Sequence, residues 1–147
     1  MKIQVIPLIL LFLGVGACAG FTDVDHPPVE LRTNKASYST GEEIVLTLTN
    51  WHRSRLSVSK SLCHAAIERR GENGWHNAGT LGYPDDGTGI NYVCPFESTE
   101  VPGEASHSGS TTADLRFEPE GEYRFAVQVS HAGAISVQFS NSFTIAG

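Results

Sequence analysis

Histidine and cysteine are the residues through which a chain of this size would most readily hold a metal or attack a substrate. The histidines are His26, His52, His64, His76, His107 and His131. None are spaced i, i+2 or i, i+4, the separations that put two imidazoles on one face of a strand or helix. No H-E-x-x-H occurs, and Met1 is the sole methionine, so a thioether-rich copper site is absent as well. Cys63 and His64 are adjacent, and neighbours on a strand point to opposite faces, which argues against one shared ion. Asp85-Asp86-Gly87-Thr88-Gly89 lacks the alternating acids and closing glutamate of a calcium loop and reads as a turn. Ser108, in His107-Ser108-Gly109-Ser110, has no G-x-S-x-G elbow, and no glycine-rich phosphate motif is present. The expectation is a chain that is not an enzyme, with no cofactor and no metal, and with His52, His76 and His107 solvated in loops.

Composition narrows the class. Apolar residues make up 40% of the chain and charged residues 18%, values suited to a packed domain and unlike those of a disordered tail. The 147 residues are enough for one domain. A formal net charge of −6 with no basic run excludes nucleic acid as an expected partner, since phosphate binding needs clustered Lys and Arg.

The N-terminus is an export signal by pattern. Lys2 precedes an apolar run from Ile3 to Val15, and Gly16 and Ala17 supply the small residues of a peptidase site. The run is too short for a membrane span, which takes about 20 residues to cross roughly 30 Å of hydrocarbon. Val15-Gly16-Ala17-Cys18 resembles the lipobox of bacterial lipoproteins. That resemblance implies cleavage before Cys18, acylation of its thiol and amino group with palmitate-type chains, and a membrane anchor. Ala19 follows the cysteine, which by the same resemblance implies the outer membrane if the source is Gram-negative. The expected division is residues 1–17 as signal peptide, 18–29 as a lipidated tether broken by Pro27 and Pro28, and 30–147 as the folded domain.

With Cys18 lipidated, Cys63 and Cys94 remain, and an even pair in an exported domain implies a disulfide. Closing such a loop would contribute roughly 3–4 kcal/mol in the chain-entropy model.

From Val29 onward the apolar period is two. Glu43 to Asn50 sets Ile44, Leu46 and Leu48 against Val45, Thr47 and Thr49; Glu122 to Val129 sets Tyr123, Phe125, Val127 and Val129 on one side. Ile135–Phe139 and Phe143–Ile145 continue the pattern. Further strands are expected at Val29–Arg32, Leu56–Val58, Cys63–Arg69, Trp75–Thr80, Ile90–Cys94 and Thr111–Phe117. Ser39-Thr40-Gly41, Gly71-Glu72-Asn73-Gly74, Pro84-Asp85-Asp86-Gly87, Pro102-Gly103 and Pro119-Glu120-Gly121 mark the turns between them. Short strands at this spacing predict an all-β, antiparallel sandwich. Tyr123, just after Pro119-Glu120-Gly121, reads as a tyrosine corner.

Cys63, Trp75 and Tyr92-Val93-Cys94 follow the order of the immunoglobulin Cys…Trp…Tyr-x-Cys series, but the two cysteines lie too close together for an antibody-type domain. Tyr38-x-x-Gly41-Glu42-x-Ile44…Leu48-Thr49-Asn50, with Pro102-Gly103-Glu104 and Pro119-x-Gly121-Glu122-Tyr123, instead resembles the opening and turns of bacterial extracytoplasmic Ig-like modules. Among named families it is similar to the BsuPI-type intracellular proteinase inhibitor domain. The resemblance implies an Ig-like sandwich, and its motif residues are turn and core residues. The export signal and the Cys63–Cys94 pair depart from that family. The expected function is therefore a non-catalytic cell-envelope lipoprotein module, presented at the membrane through Cys18, that binds a protein or glycan; the alternative is a secreted proteinase inhibitor of the BsuPI type. Trp51, His52, Arg53 and Arg55, which mix aromatic and basic character, and Tyr83 in the Gly82–Gly89 loop are the expected contact residues.

Overall fold

The computed structural model describes residues 27–81, 97–113, 117 and 120–146. Cys18, Tyr83 and Cys94, the Gly82–Gly89 loop, the Ile90–Cys94 strand and the export signal lie outside them.

The described chain is almost wholly strand: β1 (Val29–Thr33), β2 (Ser37–Ser39), β3 (Glu43–Asn50), β4 (Leu56–Ser59), β5 (Ala66–Gly71), β6 (Gly74–Thr80), β7 (Ser98–Val101), β8 (Ala105–Thr112), β9 (Glu122–His131), β10 (Ala134–Phe139) and β11 (Phe143–Ala146). The one helical element among the described residues is a 3-10 turn at Lys60–Leu62. The smaller sheet runs β1-β3-β8, and the larger β2-β11-β9-β4-β7, with β10 and β5 also on β9 and β6 on β5. Pairing is antiparallel throughout except for β2 against β11.

The period-two pattern decides which faces meet. Ile44, Leu46 and Leu48 of β3 are fully buried, while Val45, Thr47 and Thr49 are half-buried on the other face. Tyr123, Phe125, Val127 and Val129 of β9 face them from the larger sheet, with Leu56, Val58 and Ile67 alongside. Each such side chain removed from water contributes about 1.5–3 kcal/mol. One end of this sandwich-like core is aromatic. Phe143 stacks on Phe125 with centroids 5.2 Å apart and meets Tyr38 edge-on at 5.6 Å; Phe117 meets Tyr123 edge-on at 5.1 Å. The ring of Tyr123 lies over Gly121, where a Cβ would approach it to 2.5 Å, so the corner has room for no side chain. Tyr38 ties the other end of the same region: its hydroxyl donates to Asn34 Oδ1 at 2.7 Å and accepts from the Lys35 N–H at 2.9 Å.

Several local expectations need correction. The strand sought at Cys63–Arg69 begins at Ala66, because the 3-10 turn ends at Cys63 and places Cys63 and His64 in a turn. The strand sought at Thr111–Phe117 lies instead at Ala105–Thr112. Ala-Ser-His-Ser-Gly-Ser-Thr-Thr has no large apolar residue, yet it pairs with β3 along eight positions. Small side chains suit it: Thr47 and Thr49 share hydrogen bonds with Ser108 and Ser106 across the pair, at 2.9 and 3.0 Å. His76 and His107 are accordingly strand residues, in β6 and β8, and not loop residues. The Nε2 of His107 is buried with no hydrogen-bond partner.

Candidate functional site

Two adjoining surfaces could meet a partner. The first is the segment after β3, where Trp51, His52, Arg53 and Arg55 were expected to act. Asn50 shapes it. This residue is fully buried, and the two hydrogens of its Nδ2 are shared among the carbonyls of Ser54, Val101 and Pro102 at 2.9, 3.1 and 3.0 Å, while its Oδ1 accepts the His52 N–H at 3.0 Å. The amide thus reproduces backbone bonds that the turn cannot make for itself. Gly103 packs directly against this segment, where a Cβ would sit 2.3 Å from the Arg53 carbonyl oxygen. The loop is therefore held tightly although Trp51, Arg53 and Arg55 are exposed.

Its side chains diverge. Trp51 is 42% exposed. The His52 ring stacks on His131 at 4.3 Å, and His131 Nε2 lies 2.6 Å from the Ser54 hydroxyl. Arg53 and Arg55 are exposed, and Arg55 pairs with Glu100 at 2.7 Å. The structure thus groups His52 with His131, a residue the sequence reading did not single out.

The second surface begins where the first ends. His131 closes β9, and β10 starts at its partner Ala134. Ile135, Val137 and Phe139 were expected to bury one face of a strand. They are instead 73%, 46% and 47% exposed, because their register opposite Ser130, Gln128 and Ala126 places them on the outward face of the larger sheet. Together they form an apolar stripe. At its far end the Arg124 guanidinium lies 3.9 Å from the Phe139 ring and 4.5 Å from that of Trp75, and its Nε donates to Glu68 at 2.7 Å. Cation–π contact and the ion pair hold this group in one place.

Along the stripe lies an open groove of about 620 Å³ whose walls combine Ile135, Val137 and Ala126 with the polar groups of Ser57, Gln128 and Glu97. An apolar floor with a few placed polar groups is the composition of a binding cleft. Glu97 is hydrogen-bonded by Lys60 at 2.7 Å, which holds its carboxyl below the usual range and the lysine above its own. Among the described residues, no group of three or more His, Cys, Asp or Glu is placed to hold a metal ion. The groove was legible in the sequence only as alternation in β10; nothing in that pattern says which face turns outward.

No protein-family model matches the chain, and no curated protein matches it. Among solved structures, a Northeast Structural Genomics Consortium target, SoR45, is similar at 14% identity and a TM-score of 0.47, covering 81% of this chain and 85% of that one. The sporulation control protein Spo0M from Bacillus subtilis gives 12% and 0.43, covering 81% of this chain and 49% of that one. A PapD-like domain of human CEP192 gives 16% and 0.35, covering 99% and 97%.

Proposed function

We propose that the chain is a cell-envelope lipoprotein, anchored through acylated Cys18, whose Ig-like sandwich is a non-catalytic binding module. The observation that carries the binding role is the outward stripe of Ile135, Val137 and Phe139 beside an open groove. Exposed apolar residues contiguous along a sheet face, rimmed by polar groups, mark interaction surfaces. The anchor is supported by the leader pattern and the Val15-Gly16-Ala17-Cys18 sequence. The Ig-like assignment is supported by the Tyr38–Asn50 opening and by Tyr123 seated over Gly121. A Cys63–Cys94 disulfide is the pairing left once Cys18 is acylated, since an even pair in an exported domain is ordinarily oxidised.

Two measurements test this reading. Mass spectrometry of the full chain expressed in a bacterial host is expected to find an N-terminal Cys18 carrying acyl chains; a free thiol there or an intact leader removes the anchor. Affinity capture from envelope extract with the intact lipoprotein is expected to enrich a component that Val137→Lys no longer retains. Equal retention by both proteins removes the stripe from the binding role. A second reading, proteinase inhibition, is favoured by the largely exposed Trp51–Arg55 loop that the Asn50 amide holds in place. An inhibition panel of secreted serine and metalloproteases separates the two, and flat curves eliminate the inhibitor.

A further inference from the structure

The even-numbered residues of β9 from Arg124 to Ser130 lie on the outward face of the larger sheet, because Phe125, Val127 and Val129 point into the core. Their neighbours across the strands share that face. On one side are Ile135, Val137 and Phe139 of β10; on the other are Ser57 of β4 and Ala66 and Glu68 of β5. Ser57, Ala66, Ala126 and Ser130 are small, and so the groove opens beside the larger side chains of β10.

The two ends of this groove differ in charge. At one, Glu97 is bonded by Lys60 and Glu100 by Arg55, so each carboxylate already has its cation. At the other, Arg124 stands two positions from the groove residue Ala126, about 7 Å along β9 on the same face. Its guanidinium is flanked by Phe139 from the β10 side and by Trp75 from the β5–β6 side. Its Nε donates to Glu68, and the hydrogens on its Nη atoms meet no acceptor among the described residues. The side chain is partly exposed, so a ligand can reach it. Arg70 also lies by the Trp75 ring, is exposed, and forms no ion pair among the described residues. Glu122, next along that face of β9, bonds to neither arginine. This end therefore presents two guanidiniums to one bonded carboxylate, on a chain whose net charge is −6. A guanidinium held by two rings and a carboxylate offers its remaining edge, whose paired N–H groups match the two oxygens of a carboxylate.

We propose that the groove takes an extended acidic peptide, with a carboxylate of the peptide on Arg124 and Arg70 and its alternate apolar side chains against Val137 and Ile135. This deepens the binding role given above to the stripe and rests on it. Charge complementarity sets the acid at the Phe139 end. The spacing of the walls favours a peptide body. Ile135, Val137 and Phe139 recur about every 7 Å, the interval between same-face side chains of an extended chain. Beside them Gln128 and Ser130 on β9, and Ser57 and Ser59 on β4, recur at the same interval. The side chains of these four residues have no hydrogen-bond partner among the described residues, and hydroxyls and amides both give and accept bonds, as peptide groups require. A sugar would stack on an open ring face, whereas Trp75 and Phe139 already carry guanidinium groups on their rings.

Selection from a phage-displayed library of random decapeptides, against the full chain in detergent micelles, tests this. The enriched peptides are expected to carry Asp or Glu beside an alternating apolar run. A synthetic copy of one such peptide is expected to bind at least about tenfold more tightly than its Asn or Gln counterpart. Val137→Asp is expected to abolish binding of both, which places them in the groove. Arg124→Lys keeps the charge beside the rings and loses the planar fork; it is expected to bring the acid-to-amide ratio below about threefold while the amide peptide binds as before. Arg70→Gln, at an exposed position with no ion pair to lose, is expected to lower the same ratio about twofold to fivefold, and it decides the matter if Arg124→Lys does not fold. No enriched sequence, enrichment without an acid, a ratio that neither arginine variant changes, or tighter binding of tetragalacturonate than of the selected peptide would each overturn the proposal. Capture from envelope extract that still depends on Val137 would in those cases keep the stripe as a binding surface and remove only the acidic peptide; loss of that dependence would remove both.

Discussion

Replacement of Asn50 should unravel the Trp51–Arg55 segment and take a large part of the domain's stability with it. The side chain is fully buried and serves three carbonyls and one N–H. Truncation in Asn50→Ala strands those partners. The Val101 carbonyl lies in the interior, while those of Ser54 and Pro102 are partly reached by water. Leaving a buried group unsatisfied costs about 1–3 kcal/mol, and a group that water can reach costs less. The sum is a loss of about 2–4 kcal/mol, against a total of about 5–15 for a domain. Asn50→Asp keeps the size and the acceptor for His52 N–H but turns an oxygen toward the three carbonyls, so at neutral pH its cost is at least as large. Urea denaturation measures both. With a slope of about 1–3 kcal/mol per molar, the midpoint should fall by about 1–2 M with the slope unchanged. A loss under about 1 kcal/mol in both variants would refute the reasoning, because it would mean that the loop's backbone finds equal partners without this amide.

Other consequences follow from single contacts. Glu42 accepts hydrogen bonds from Lys35 and from the Ser39 N–H, which lower its pKa from the ordinary 4.5. A depressed carboxyl contributes stability that is present above its unfolded pKa and lost as pH falls through the folded one. Glu42→Gln should therefore flatten that acid limb of the stability curve below about pH 5, with no change in slope from pH 6 to 8; an unaltered acid limb counts against the contact. Ala132 sits at φ 50° in the β9–β10 turn, and Ala132→Gly should raise stability by about 0.5–1 kcal/mol in thermal melts, by relief of left-handed strain in a residue with a Cβ. His107→Leu removes the unpartnered Nε2 opposite Leu48 and should stabilise by about 1 kcal/mol; a clear loss would show that the imidazole has a partner in solution.

Much of the architecture follows from local chemistry. Alternation in β3 and β9 named both inner faces, because a period of two leaves each residue one side to face. Gly41, Gly71–Gly74 and Pro102-Gly103 marked reversals correctly, since turn geometry is a property of a few consecutive residues. β8 was misplaced, because a strand built from Ser, Thr, Gly and Ala shows no apolar contrast; only its eight-position pairing with β3 makes it a strand. Asn50 appeared as one residue of a motif, and its role is visible only once β7 brings the Val101 and Pro102 carbonyls to it.

The candidate surface divides in the same way. The aromatic and basic character of Trp51–Arg55 and the apolar period of Ile135–Phe139 belong to the sequence alone. That the first is tightly held, and the second an outward stripe on a strand that pairs only with β9 among the described residues, was decided by the tertiary structure. Periodicity tells which side chains share a face. Only the register with a neighbouring strand tells whether that face meets the core or the solvent, since a shift of one residue exchanges the two.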